Sequence, residues 1–209
     1  MEYQVRQVVG DVKVVLDRNN ASEPLIGSED ALSLEEIIES RILPSVVYLS
    51  LRADLSLFDN CAAIPGSPVI TDGVGVITLP SDFLRLHDYE LSSWKGRVVV
   101  IDDHNPLYAQ QKSRFSGVRG NAQAPVVAVV NKGGTYSLEL YSCQSGDTGS
   151  GSYIKFPSID NGSINISDRL YEAVVYYTAY LTCVSMGDTE TASRFLEFAK
   201  ASAGMEAQQ

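Results

Sequence analysis

The chain has 209 residues, 44 % of them hydrophobic and 20 % charged, with a formal net charge of −10. That length and apolar content support a buried core in one domain, or one domain with an elaborated insertion, and they exclude a disordered chain. The acid excess, 26 Asp+Glu against 16 Lys+Arg, argues against tight nucleic-acid binding because it repels a polyanion, and no window reaches the ~18 uninterrupted apolar residues of a membrane span.

The acid is not spread evenly. Residues 1–60 carry 5 Lys/Arg against 11 Asp/Glu, residues 61–157 carry 8 against 8, and residues 158–209 carry 3 against 7. Two acidic, helix-patterned ends therefore bracket a neutral middle. The start Met1-Glu2-Tyr3 meets Gly10-Asp11 before any long apolar run, so no secretory signal is expected and the protein reads as soluble and cytoplasmically made. Cys61, Cys143 and Cys183 are far apart, without a Cys-x-x-Cys pair or a neighbouring His, and read as reduced, buried small hydrophobes.

From Tyr3 to Leu16, Val5, Val8, Val9, Val12, Val15 and Leu16 recur at three- and four-residue spacing, which predicts a helix despite the valines and Gly10. Asp17 to Asp30 reads as a loop around Asn19-Asn20, Pro24 and Gly27. Ser33 and Glu36 form a capping-box pair ahead of Leu34, Ile37, Ile38, Ile42, Val46 and Leu49 on one helix face. Pro44 lies inside that pattern and predicts a kink or a restart before the helix ends near Asp54.

Between Ile64 and Pro157 the period changes to two. Strands are expected at Val74–Leu79, Phe83–Leu91, Arg97–Ile101, Pro125–Val130, Thr135–Ser142 and Ser152–Phe156, with a hairpin turn at Asn131-Lys132-Gly133-Gly134. The expectation is a mostly antiparallel sheet or small barrel of five to seven strands. Two long connections interrupt it. The first, Asp102 to Gln123, opens with a short helix from Pro106 to Ser113 and carries Lys112, Arg114 and Arg119; the second, Gln144 to Ser152, is rich in Gly and Ser.

After the Asp160-Asn161-Gly162 turn, Ser167 is expected to cap a helix with Leu170, Val174, Tyr177, Leu181 and Val184 on one face, stopped by Gly187. A last helix follows from about Asp188 through Phe195, Leu196 and Ala199 to about Ala203. Gly204 to Gln209 should fray. The fold class is thus α+β: a helical bundle built from N-terminal helices (1–60) and a C-terminal helical hairpin and tail (158–209), with an inserted, mostly antiparallel β domain (61–157).

No catalytic constellation emerges. The chain lacks H-E-x-x-H, G-x-S-x-G, a P-loop and a G-x-G-x-x-G after a strand. Asp102-Asp103-His104 and His87-Asp88 are the places where acid–base or metal chemistry could sit, but neighbours on a strand point to opposite faces, so polar strand ends are the plainer reading. Trp94 reads as packing beside a turn. Lys112, Arg114 and Arg119, with Tyr108 and Phe115, mix charge and aromatics as nucleic-acid contacts do, yet three cations in an acidic chain suit a partner or channel loop better. The reading is of a non-enzyme without cofactor or metal.

Val12-Lys13-Val14-Val15-Leu16-Asp17-Arg18-Asn19, Leu32-Ser33-Leu34-Glu35-Glu36-Ile37-Ile38 and Leu79-Pro80-Ser81-Asp82-Phe83-Leu84-Arg85-Leu86 resemble strings in tailed-phage proteins of gut Bacteroidales phages. Pro106-Leu107-Tyr108-Ala109-Gln110-Gln111, Ser116-Gly117-Val118-Arg119-Gly120-Asn121, Leu138-Glu139-Leu140-Tyr141-Ser142 and Ala173-Val174-Val175-Tyr176-Tyr177 continue the likeness across nearly the whole chain. The arrangement is similar to head-to-tail connector (portal adaptor, or ring) proteins. The resemblance implies a structural virion protein of the neck, assembled in the bacterial host cytoplasm. Its partners would be copies of itself in a dodecameric ring, the portal protein and tail or further ring proteins, with genomic DNA passing without specific binding. It implies portal docking by the C-terminal segment, here Phe195, Phe198, Lys200 and Met205. Another tail or baseplate protein, or a glycan-binding β module, is the alternative.

Overall fold

The computed structural model describes residues 1–17, 32–113, 115, 118–141 and 143–205. In chain order its elements are β1 (Glu2–Gln4), α1 (Val5–Val15), α2 (Leu34–Arg52), β2 (Ala62–Ala63), β3 (Val69–Thr71), β4 (Val74–Thr78), β5 (Phe83–Leu91), β6 (Val99–Asp102), α3 (Pro106–Gln111), β7 (Val126–Lys132), β8 (Thr135–Tyr141), β9 (Gly149–Lys155), β10 (Ile159–Asp160), β11 (Ser163–Asn165), α4 (Tyr171–Met186) and α5 (Thr189–Ser202). The architecture is mixed α+β. It divides into one unit made of Met1–Asn60 with Phe156–Gln209 and a second made of Cys61–Lys155. Among the described residues, no helix is long and apolar enough to cross a membrane.

In the first unit α1 starts at Val5, two residues later than the periodicity suggests. Tyr3 is strand instead, because β1 pairs antiparallel with β11, Tyr3 opposite Ile164. Val5, Val8, Val9 and Val12 form the buried stripe. Ser33 caps α2 as expected: its Oγ accepts from the Glu36 backbone N–H at 3.3 Å, and the Glu36 carboxylate accepts from the Ser33 N–H at 2.7 Å. The bonds from Ser33 hold the Glu36 carboxyl below its ordinary range. Helix α2 runs unbroken through Pro44. Pro44 sits on the exposed side, where water can take up the carbonyl it leaves without a donor.

Helix α4 is central: α1, α2 and α5 all pack on it. The expected single face is therefore too narrow. Ala173, Val175, Thr178, Ala179, Thr182 and Cys183 are buried in addition to Val174 and Tyr177, whereas Val184 is exposed. Tyr48 of α2 stacks on Tyr177 with centroids 4.3 Å apart, and Arg41 reaches Ser185 at 3.1 Å, so α2 and α4 run antiparallel. Gly187 ends α4 at φ 81°, a conformation that costs other residues a left-handed Cβ clash. Asp188 then caps α5, accepting from the Thr191 N–H at 3.1 Å.

Ser167 is not the cap of α4. A 3-10 turn, Asp168–Leu170, intervenes, and the Ser167 hydroxyl lies 2.5 Å from the Leu57 carbonyl and 2.6 Å from Asp59 Oδ1. It ties the two chain ends of this unit together. The segment expected to loosen after α5 is also held: the Asp54 N–H donates to the buried Ala203 carbonyl at 3.0 Å, and the Met205 N–H donates to Lys200 at 2.9 Å. Residues 206–209 lie outside the described residues, as does the loop expected from 18 to 30.

Among the described residues the second unit has eight strands in two sheets, ordered β2-β9-β5 and β3-β4-β8-β7-β6. All six expected strands are present, and the short β2 and β3 are additional. Leu86, Tyr89, Leu91 and Tyr153 from the first sheet pack with Ile77, Val127, Leu138 and Leu140 from the second in one core. The opposite face of the five-stranded sheet carries a second apolar cluster: Ile101, Val126, Ala128, Val130 and Tyr141, with Tyr108 of α3 against it. The β7–β8 hairpin closes through Gly133 and Gly134, both at positive φ. One pairing departs from the antiparallel expectation: β6 lies parallel to β7, Val99 opposite Val126. Parallel neighbours need a crossover, which the connection through α3 supplies.

Candidate functional site

The β6–β7 crossover is built from both ends inward. Asn105 caps α3 by accepting from the Leu107 N–H at 3.0 Å, and Pro106 occupies the first turn, where its missing N–H is not needed. Buried Gln111 then bridges the connection: its Nε2 donates to the Leu107 carbonyl at 3.1 Å and its Oε1 accepts from the Gly120 N–H at 2.7 Å. At Gly120 an added Cβ would sit 2.9 Å from Val126, and at Gly96 one would sit 1.7 Å from the Gln123 carbonyl oxygen. Only glycine allows these approaches.

Beneath the crossover, Glu139 of β8 accepts from Tyr108 at 2.9 Å, Tyr141 at 2.8 Å and Lys132 at 2.7 Å. Burial alone would raise the Glu139 carboxyl, but the bonds from Lys132, Tyr141 and Tyr108 outweigh it and hold it below the ordinary range. Burial and the Glu139 carboxylate push the Tyr108 hydroxyl up to about 12 and raise that of Tyr141 further. At neutral pH the cluster is one anion, one cation and two neutral donors, each matched. Its role is to fasten α3 to the sheet.

The pinned ends present the residues between them. Lys112 is exposed, with Nζ 4.7 Å from the Tyr108 ring centroid. Phe115 is 62 % and Val118 51 % exposed. Arg119 is half-buried, and its Nε is buried without a hydrogen-bond partner among the described residues. Arg114 lies outside the described residues.

The C-terminal set falls on one stretch of chain. Tyr176 of α4 packs against both Phe195 and Phe198, with ring centroids 6.5 and 5.4 Å away. Phe198 nevertheless stays 53 % exposed. Lys200 pairs with Glu197 at 3.3 Å, and Met205 is half-buried after the Gly204 turn. Phe195 and Phe198 are thus packed on α4 within a helix that runs to Ser202.

The sites considered for acid–base chemistry resolve differently. Asp102 accepts from the His104 N–H at 3.0 Å, Asp103 accepts from the Asn131 N–H at 3.3 Å, and the His104 side chain is solvent-exposed, so the trio closes a turn. His87 and Asp88 do converge, because a bulge between Leu86 and Asp88 breaks the strand alternation. His87 Nδ1 lies 3.1 Å from Asp88 Oδ1 and 3.0 Å from Ser152 Oγ, and the Ser152 hydroxyl also donates to Asp88. A relay would need Ser and Asp on different ring nitrogens. Here both meet Nδ1, and the serine proton goes to the carboxylate. Trp94 packs edge-on to Tyr89, with centroids 6.3 Å apart, so it offers no open stacking platform. The Cys143 thiol donates to the Leu140 carbonyl and burial pushes it up to about 11, away from reactivity. Among the described residues no group of three or more His, Cys, Asp or Glu could hold a metal ion.

The Glu139 cluster and the Gln111 bridge are structural supports of the crossover that sequence reading did not find. Only the alternation of Leu138, Leu140 with Glu139, Tyr141 hinted that an acid faces a second buried layer. No protein-family model matches this chain, and no curated protein matches it.

Proposed function

We propose that this protein is a subunit of the head-to-tail connector of a tailed phage, an adaptor ring that binds below the portal, extends the DNA channel and offers a platform to the tail. In this reading the N- and C-terminal helices form the bundle that builds the ring, and the β domain is an insertion between them. The observation that carries it is the segregation of charge: the whole −10 belongs to the two helical ends, while residues 61–157 balance 8 cations against 8 acids. Acidic helices lining a conduit repel phosphate, so DNA slides past without adhering. The likeness of the quoted strings to tailed-phage proteins, and of the arrangement to connector proteins, supports this reading.

Phe195, Phe198, Lys200 and Met205 dock the portal in this reading, with exposed Phe198 as the anchor. Binding is then rigid docking of an ordered helix and not coupled folding of a loose tail. Co-purification with a tailed-phage portal protein tests this. Wild type should be retained, and Phe198→Glu should lose retention by about tenfold or more while keeping its circular dichroism. Unchanged retention of the variant would remove the docking residues; failure of the wild type to bind any portal would remove the function.

A further inference from the structure

Among the described residues, Lys13 pairs with Glu35, Lys132 with Glu139, Lys155 with Asp82, Arg194 with Glu190 and Lys200 with Glu197. Lys95, Arg97, Lys112 and Arg119 make no ion pair among the described residues, and the first three are exposed. The stretch 95–99 runs beside 122–125, and the crossover that carries Lys112 and Arg119 returns to the same end of the sheet, where Gly120 abuts Val126, the partner of Val99. The Lys95 N–H donates to the Ala122 carbonyl at 2.7 Å, the Val99 N–H donates to Pro125 at 2.9 Å, and Gly96 abuts Gln123. From His104 to Leu138 the sequence holds no acid. Exposed Val99 and Val100, on the outer strand of the five-stranded sheet, and exposed Phe115 and Val118 on the crossover lie among these charges.

We propose that this basic, apolar-studded end of the β unit is the face on which a second copy of the chain seats its acidic helical unit. The proposal rests on the connector reading only for the closure of the contact into a ring. Charge complementarity selects the occupant: residues 1–60 and 158–209 hold all the net negative charge, and Glu2, Glu39 and Glu172 are exposed there without an ion pair among the described residues. Four cations interleaved with bare valines and a phenylalanine suit a protein surface, since duplex DNA interfaces are more polar and more densely cationic. The Gln111 bridge and the Glu139 cluster hold the loop ends in place, which lowers the ordering cost of binding. Because the donor face and the acceptor face are different parts of one chain, the contact is heterologous, and such contacts propagate into rings or filaments instead of stopping at a two-fold dimer.

The test is photo-crosslinking in the full chain. A benzophenone residue replaces Val118, and the protein is mixed at low salt with nitrogen-15-labelled chain lacking the crosslinker, so that mixed-isotope peptides report contacts between copies. Links should fall on residues 1–60 or 156–209 of the labelled copy. They should weaken about tenfold at roughly 0.5 M salt and in Lys95→Glu/Arg97→Glu/Lys112→Glu. If that variant does not fold, Arg97→Gln/Lys112→Gln gives the same reading with a smaller drop. Links that land on residues 61–155, or that ignore the reversal, overturn this inference and leave the connector reading standing. Capture of a labelled DNA duplex that the reversal abolishes gives the face to nucleic acid and also overturns it. No mixed-isotope link at about millimolar protein overturns it together with self-assembly of the free chain.

Discussion

The two units solve the same problem, burying a core, with opposite chain logic. The β unit is one continuous stretch, Cys61–Lys155, whereas the helical unit is assembled from both ends of the chain, Met1–Asn60 and Phe156–Gln209. The helical unit therefore depends on contacts between residues far apart in sequence: β1 on β11, Tyr3 stacked on Tyr171 at 4.2 Å, Ser167 against Leu57 and Asp59. Within its single stretch the β unit mixes both kinds of closure: β3–β4 and β7–β8 are hairpins between neighbours, β4 on β8, β5 on β9 and β2 on β9 join distant segments, and β6–β7 adds a parallel crossover. Long-range closure is slow and costs loop entropy.

The sharpest way to break this comparison is to damage one core and watch the other. Ile38→Ala, at a fully buried position of α2, should cost about 2–5 kcal/mol. Hydrogen exchange should show protection lost in α1, α2 and α4 but retained in β7 and β8; Leu138→Ala should do the reverse. Simultaneous loss in both units for either variant would mean a single cooperative block.

Glu139→Gln should cost about 1–3 kcal/mol by leaving buried partners of the carboxylate imperfectly matched, and it should first deprotect amides 107–112 and 118–120. The same residue gives a pH signature. Its folded pKa is depressed, so its contribution is complete above the ordinary Glu value of ~4.3 and is lost as pH falls through the lower folded value. The wild-type β unit should therefore show a falling urea midpoint below about pH 4.3, and in Glu139→Gln that component of the slope should vanish. An unchanged slope in the variant would mean that the cluster contributes nothing to acid sensitivity.

Smaller effects sharpen the helical side. Gly187→Ala forces a Cβ into the left-handed region at φ 81° and should lower the helical unit's stability by roughly 1–2 kcal/mol. Ser33→Ala removes one half of the capping box and should cost about 1 kcal/mol, read as a small drop in melting temperature, with Ser33→Asp restoring most of it.

Local chemistry was legible in the sequence wherever its cause was local. The Ser33–Glu36 box, the Gly187 stop, the glycine hairpin at Gly133-Gly134 and six alternating strands follow from neighbouring residues alone. Features set by distant partners were not legible. Tyr3 carries the helical spacing of its neighbours yet is strand, because β11 offers it a partner. Ser167 has the form of a cap but spends its hydroxyl on Leu57 and Asp59. Helix α4 buries most of its circumference because three helices surround it, which no one-face pattern predicts. His87, Asp88 and Ser152 meet through a bulge that strand alternation forbids. For the candidate surfaces, the sequence marked Lys112, Arg119 and Phe198 as residues, while the Gln111 bridge and the Glu139 anchor that hold the crossover in place are visible only in three dimensions.

Cryo-electron microscopy of the virion with the subunit tagged is the direct test of the ring we propose at the phage neck. Density for the chain is expected as a closed ring coaxial with the portal, its acidic helices toward the channel. Tagged density confined to the capsid shell, a tail fibre or no particle at all would contradict it.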